Sequence, residues 1–252
     1  MSELSGQVAL VTGSSRGIGA AIAKRFAAAG AAVAVHGRDM PALSHVVNAI
    51  RDQGGRAVAI TGELTDFAAV EGIRAAVERE LGPVDILVAN AGGSYTPPAA
   101  LEDIPEEGWH ASIEGNLTTT FLTLKSFVPG MKTRRRGAII TISSAAGRRP
   151  HPRSPMPYAA AKAGVELMTQ ALASQVGPFG IRANCIAPET ILTDRNRERI
   201  PGDQQITMAE QHPLLRLGSP EDVAEAALYL SSYRSSWITG VVLDVAGGAV
   251  MV

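Results

Sequence analysis

The chain of 252 residues has a single cysteine, Cys185. One thiol excludes an internal disulfide and any cysteine-rich zinc site, and no metal is expected. Its place in the apolar run "IRANCIAP" marks it as a buried packing thiol rather than a nucleophile. Aromatic residues make up only 4% of the chain, too few for base-stacking platforms. Charge of one sign is also missing: 23 Lys and Arg against 24 Asp and Glu leave a net charge of −1. Neither nucleic acid nor a membrane surface is therefore an expected partner. No apolar run approaches the roughly 18 residues of a membrane span. The opening "MSELSGQVALVTG" has no basic segment followed by a long apolar one, so no secretory signal is expected and the expected location is cytoplasmic.

What the chain does have is 46% apolar residues, ample for a large core, and a repeated alternation of short apolar runs with helical patterns. "VALVT" (8–12), "AAVAVHG" (31–37), "AVAIT" (57–61), "DILVANA" (85–91), "GAIITIS" (137–143), "RANCIAP" (182–188) and "VVLDVA" (241–246) read as strands. They are nearly continuous apolar runs, the mark of strands buried on both faces of a parallel sheet. Helical segments separate them, including a long one over about residues 105–131 and another starting near Tyr158. A further helix lies at "SPEDVAEAALYLSS", with Ser219 as its cap and Pro220 as its first residue. Seven strands with intervening helices predict a single α/β domain, residues 1–252, built on a doubly wound seven-stranded parallel sheet. One irregular region, residues 189–218, is too long for a plain loop and reads as a substrate lid.

"VALVTGSSRGIGAAIA" puts Gly13, Gly17 and Gly19 at the turn from the first strand into the first helix. Glycines there let backbone approach a pyrophosphate, and the helix N-terminus offers free N–H groups and partial positive charge. The spacing is GxxxGxG rather than the general GxGxxG, so the position after the first strand carries the reading.

Taken together, "TGSSRGIG" (12–19), "NAG" (90–92), Asn116 in "GNLTTTF", "ISS" (142–144) and "YAAAK" (158–162) resemble the short-chain dehydrogenase/reductase family. The resemblance covers essentially the whole chain, and 3-oxoacyl-acyl-carrier-protein reductases are among the similar members. It implies a Rossmann fold, a nicotinamide cofactor, a small carbonyl or alcohol substrate and a homotetramer. It also implies that the cofactor contacts Gly13, Ser15, Arg16, Gly17, Ile18 and Gly19 in the glycine loop, Glu63 and Leu64 near the adenine, and Asn90, Ala91 and Gly92 near the ribose. Pro188, Ile191 and Thr193 would hold the nicotinamide carboxamide. Glu189 stands where the family usually has glycine, which puts the lid geometry in question.

NAD binders place an acid at the end of the second strand; NADP binders place a cation there. In "AVAVHGRD" that position is Gly37, followed by Arg38, while Arg16 lies in the glycine loop. Two arginines and no carboxylate favour NADP(H) through charge-assisted phosphate recognition. NAD(H) stays open, because Asp39 is one residue further on.

For the chemistry, the resemblance assigns Ser144, rather than Ser143, to the substrate oxygen, Tyr158 to proton transfer, and Asn116 to a water that relays protons to Lys162. Tyr158 and Lys162 are four apart and share a helix face. A cation 5 Å from a phenolate contributes about 3 kcal/mol at effective dielectric 20, enough to bring the tyrosine most of the way to working pH.

The stretch "SSAAGRRPHPRSPMPYAAAK" carries four prolines that stiffen the loop before this helix. In the family this loop lines the substrate pocket, so Arg148, Arg149, His151 and Arg153 suggest a negatively charged substrate, with Arg148 and Arg149 as the candidate contacts and solvent exposure as the alternative. "KTRRRG" (132–137) offers part of a landing surface for an acidic carrier protein, although Phe179 occupies a place where carrier-using relatives often have a basic residue. Three readings stay open: a carbonyl reductase, including one for 3-oxoacyl thioesters; a sugar or other secondary-alcohol dehydrogenase; and a nucleotide-sensing module without catalysis. The last need not keep a Ser–Tyr–Lys set, and this chain keeps it.

Overall fold

A computed structural model describes residues 2–251. Within them, seven strands form one sheet in the order β3-β2-β1-β4-β5-β6-β7, and every neighbouring pair is parallel. The strands are β1 (Val8–Val11), β2 (Ala32–Gly37), β3 (Arg56–Thr61), β4 (Ile86–Ala89), β5 (Gly137–Ile142), β6 (Ile181–Pro188) and β7 (Val242–Val245). Each lies where the apolar runs place it, to within two residues.

Continuous apolar runs pay off because both faces are covered. Ala9, Val11, Val33, Val35 and Ile140 point into a core with α1 (Gly17–Ala28), α2 (Met40–Asp52) and α10 (Pro220–Ser231). Their neighbours Val8, Leu10, Ala34 and Ile139 point the other way, into a core with α3 (Phe67–Leu81), α5 (Thr119–Arg134) and α7 (Met156–Val176). This is the period of two of a strand feeding two layers at once. Cys185 is fully buried, and burial pushes its thiol up to about 11. No helix among the described residues is long and apolar enough to cross a membrane.

The long helix expected over residues 105–131 is not continuous. It runs as α4 (Glu106–Ile113), a π-helical turn (Glu114–Thr118) and α5. The cause is Asn116, whose amide donates to Ser112 O at 2.8 Å and to Gly93 O at 2.9 Å. A side chain that satisfies carbonyls in place of the backbone ladder widens the turn, as π-bulges do. Residues 189–218 contain two short helices, α8 (Asp194–Arg199) and α9 (Gly202–Glu210), over a base closed by the Ile191–Gly218 bridge.

Helix α10 begins as its sequence indicates. Ser219 caps Asp222 N, and the Asp222 carboxylate returns a bond to Ser219 N at 2.7 Å. Arg216 beside it holds the Asp222 carboxyl down at about 2. Ser219→Ala is expected to lower the unfolding free energy by about 1 kcal/mol. An unchanged midpoint in urea denaturation would show that α10 does not depend on this cap.

Candidate active site

In a parallel sheet all strands end on one side, and the loops that follow them gather there at the reversal between β1 and β4. Those loops enclose a cleft of about 850 Å³.

The glycine loop is fastened to both neighbouring strands. Ser14 N donates to His36 O at 2.8 Å, and Ser14 Oγ accepts from His36 N at 2.9 Å. On the other side Thr12 Oγ1 accepts from Asn90 N and Ala91 N, while the Asn90 amide donates to Thr12 O and Gly13 O at 2.9 and 3.0 Å. Asn90 therefore spends its donors on the loop and reaches the cleft only as part of its wall. Gly13 and Gly17 have φ of +62° and +56°, and a Cβ on Gly13 would stand 2.8 Å from Ala91 Cα. Only glycine meets both conditions.

Helix α1 starts here without a side-chain cap and with no acid in its first turn, whereas α2, α3 and α10 are all capped by side chains. Its free N–H groups and partial positive charge face the cleft beside Ser15, Ile18 and Gly19, which fits a pyrophosphate.

At the far end of this half, Arg16 pairs with Asp39 at 2.8 Å, and Arg38 lies 3.7 Å from Glu63. Asp39 is doubly engaged, because its other oxygen caps α2 through Ala42 N at 3.1 Å. Leu64 is buried against the wall. His36, which no motif signals, lies under this end. Its Nε2 faces Gly62 O at 3.2 Å, its Nδ1 has no partner, and burial pushes its pKa down to about 4.

The other half of the cleft holds Ser144, Tyr158 and Lys162. Ser144 follows β5 and caps the short helix α6 (Ala145–Arg148) through Ala146 N at 3.2 Å. Tyr158 and Lys162 lie one turn apart on α7. The Lys162 ammonium donates to Ile142 O at 2.8 Å and sits 5.7 Å from the centre of the Tyr158 ring. Burial pushes the Lys162 pKa down to about 8 and the Tyr158 hydroxyl up, with Ser144 opposing the latter only in part. Burial opposes the charged form of both groups, so the Lys162 ammonium works against desolvation in bringing Tyr158 towards working pH.

Asn116 reaches this site through Gly93, whose N–H donates to Asn116 Oδ1 at 3.0 Å. A Cβ on Gly92 would lie 2.5 Å from Asn116 Oδ1 and 3.3 Å from Lys162 Nζ, so Gly92 keeps the two residues adjacent.

Arg148 is the clearest correction. It turns away from the cleft, its Nε bonding Asp244 of β7 at 3.0 Å and its NH1 lying 3.3 Å from Glu166 of α7. Ser143 Oγ lies 2.7 Å from Glu166 Oε1 and 3.1 Å from Lys162 O, its single proton shared between the two acceptors. Burial raises the Glu166 carboxyl above its usual range, and the bond to Asp244 raises the Arg148 guanidinium. A cation between the buried Glu166 and the half-buried Asp244 is a structural clamp. It joins the turn after Ser144 to the helix that carries Tyr158 and Lys162. Arg149, in contrast, lines the cleft, together with His151 and Arg153.

Pro188, Ile191 and Thr193 border the catalytic half, with Thr193 capping α8 and packing its methyl group towards Gly17. Glu189 does not add a free charge there. Burial pushes its carboxyl up, but bonds from Thr190 N and from His212 Nε2, the latter at 2.9 Å, hold it below the usual range.

Two lining residues have no local signal in the sequence. Tyr95 hangs over Gly115, where a Cβ would strike its hydroxyl, and Arg199 arrives from α8. The "KTRRRG" residues lie at the opposite end of the sheet, before β5, and are used internally. Arg134 and Arg135 donate to the carbonyls of Val84 and Pro178, and Arg136 pairs with Asp85 at 2.8 Å. Among the described residues no cluster of three or more metal-ligating side chains occurs.

A family model described as Enoyl-(Acyl carrier protein) reductase matches residues 13–250. The 3-oxoacyl-[acyl-carrier-protein] reductase of Chlamydia trachomatis serovar D is 40% identical over 245 residues, 96% of each chain. A 3-oxoacyl-[acyl-carrier protein] reductase from Brucella melitensis, solved with NAD, superposes with TM-score 0.91 at 34% identity, covering 99% of this chain and 93% of that one. A gluconate 5-dehydrogenase from Burkholderia cenocepacia, solved with NADP and tartrate, gives 0.91 at 31%, covering 98% and 96%.

Arg148→Ala removes the cation that pairs with the buried Glu166 and the half-buried Asp244 and is expected to cost about 3 kcal/mol of stability. An unfolding free energy within 0.5 kcal/mol of the parent, roughly the range of surface substitutions, would refute the clamp. A second expectation concerns pH. The folded state holds His36 neutral down to about 4, whereas the unfolded chain protonates near 6.5. The unfolded state therefore binds more protons in this window, and stability falls as pH drops from about 6.5 to 4. His36→Gln should flatten that part of the curve, which urea titrations across the window would reveal.

Proposed function

The chain belongs to the short-chain dehydrogenase/reductase family, and from that membership we propose that it interconverts a small ketone and its secondary alcohol at Ser144, Tyr158 and Lys162, with NADP(H) as preferred cofactor. That it is an oxidoreductase acting on a carbonyl or alcohol with a nicotinamide cofactor follows from the family and from relatives solved with NAD or NADP. The observation that carries the site assignment is the meeting of Ser144, Tyr158 and Lys162 in the same cleft as the uncapped start of α1.

The bound nucleotide supplies or takes up the hydride. In reduction, the Tyr158 hydroxyl gives its proton to the oxygen left on the substrate; in oxidation, its phenolate removes the alcohol proton. Ser144 Oγ donates a hydrogen bond to that oxygen and holds it beside Tyr158. The Lys162 ammonium, fixed on Ile142 O, stabilises the phenolate as it forms. Asn116 and the Gly92–Gly93 backbone border the route by which a proton returns from solvent to Lys162.

NADP(H) preference is supported by Gly37, which brings no carboxylate to the ribose, and by Arg16 and Arg38 on either side of it. Asp39 is a poor ribose acceptor, since both its oxygens are engaged. A substrate free in solution is favoured over a carrier-bound acyl chain because the "KTRRRG" arginines are internally paired and far from the cleft opening. The exposed Trp237 and Tyr233 near β7, at 99% and 76%, and Leu167 on α7, at 68%, support burial in a homotetramer. A cytoplasmic location completes the reading.

Initial rates with NADPH and NADH over a panel of ketones test it. NADPH is expected to give at least a tenfold higher kcat/KM, and Arg38→Ala should erase most of that margin. Tyr158→Phe should lower kcat at least a hundredfold, within the range for losing a general acid. Undiminished turnover in that variant would refute the assignment.

A further inference from the structure

The catalytic half of the cleft carries more positive charge than proton transfer uses. Arg149 and Arg153 line it from the loop between α6 and α7, with His151 between them, and Arg199 lines it from the last turn of α8. Among the described residues, none of these three arginines makes a side-chain hydrogen bond or ion pair. Arg16, Arg25, Arg74, Arg136 and Arg148, by comparison, all find carboxylates. The nearby acid does not neutralise them, because Glu189 is committed to His212 and to Thr190 N. Glu63 belongs to the adenine end, next to Arg38.

Unpaired guanidinium groups are ordinary on a surface, where water surrounds them. These three are exposed too, but they gather from two separate elements around one cavity, and one of those elements is stiffened. Pro150, Pro152 and Pro155 limit the loop's freedom, and Arg153 N donates to His151 Nδ1 at 3.1 Å. A preset group of cations around a cleft concentrates field inside it and favours a bidentate oxyanion partner.

We propose that the substrate is itself an anion: a ketone or secondary alcohol whose carboxylate or phosphate, remote from the reacting carbon, is held between the Arg149–Arg153 loop and Arg199. This rests on the reading that the cleft handles a ketone or alcohol. An anion held from both sides ties α8 to the loop, so the charge that selects the substrate also draws the two walls together. The reacting oxygen stays with Ser144 and Tyr158, and the arginines set only the far end of the molecule.

The test compares matched pairs with saturating NADPH: 4-oxocyclohexanecarboxylate against its carboxamide, and dihydroxyacetone phosphate against dihydroxyacetone. The charged member of at least one pair is expected to show a tenfold or greater advantage in kcat/KM, expressed mainly in KM and shrinking as salt is raised. The pair that responds identifies carboxylate or phosphate. Arg149→Gln and Arg199→Gln should each reduce that advantage at least fivefold, while Arg79→Gln on the exposed face of α3 leaves it intact. Equal efficiency within both pairs, or an advantage that survives both cleft variants, overturns the proposal. If nothing is turned over, the catalytic reading has failed by itself. The pairs are then compared by calorimetric titration into the NADP⁺-loaded protein, where equal affinities would overturn the anion site as well.

Discussion

Lys162 holds an ammonium group almost entirely out of water, and much of the surrounding architecture follows from that burial. An unpartnered cation in such a place would shed its proton or unfold its surroundings. It stays because Ile142 O accepts from it and because Gly92 leaves room beside it. Opposite Gly92 and Gly93 the helix opens into a π turn at Asn116, whose side chain bonds both the N–H and the C=O of Gly93. The same lysine's carbonyl accepts from Ser143, whose hydroxyl also binds Glu166, and Glu166 brings in Arg148 and Asp244. Burying one charge has thus recruited a glycine, a distorted helix and an ion triad.

The two halves of the cleft handle charge in opposite ways. At the nucleotide end the arginines are already matched, Arg16 to Asp39 and Arg38 near Glu63. A 2′-phosphate would have to exchange partners with those acids rather than meet free cations. At the substrate end the guanidinium groups face the cavity without internal partners. The arginines of the first end already have carboxylate partners, and among the described residues those of the second have none.

Much of this was legible in the sequence because it depends on local patterns. Val8–Thr12 and Arg182–Pro188 read as buried parallel strands from their own composition, and Ser219–Pro220 marks the start of α10. The glycine loop and the Tyr158–Lys162 pair are short-range arrangements of the same kind. The misreadings involve contacts between distant parts of the chain. Arg148 looked like a neighbour of Arg149 with the same purpose, yet its partner Asp244 is 96 residues away. Arg199 and Tyr95 enter the cleft only because the fold brings them there. Asn116 falls in the middle of a predicted helix, and nothing in its neighbours reveals that the helix opens there. Spacing puts Lys162 beside Tyr158, whereas burial, a property of the whole molecule, also acts on the charge of both groups.

Arg148 lies in the turn that presents Ser144, and Asp244 lies in β7, at the edge of the sheet. During synthesis Arg148 and Glu166 emerge long before Asp244 does, and a domain folds as a unit rather than piece by piece. The turn that presents Ser144 therefore gains its second acid, Asp244, only when β7, the last strand in the chain, pairs with β6.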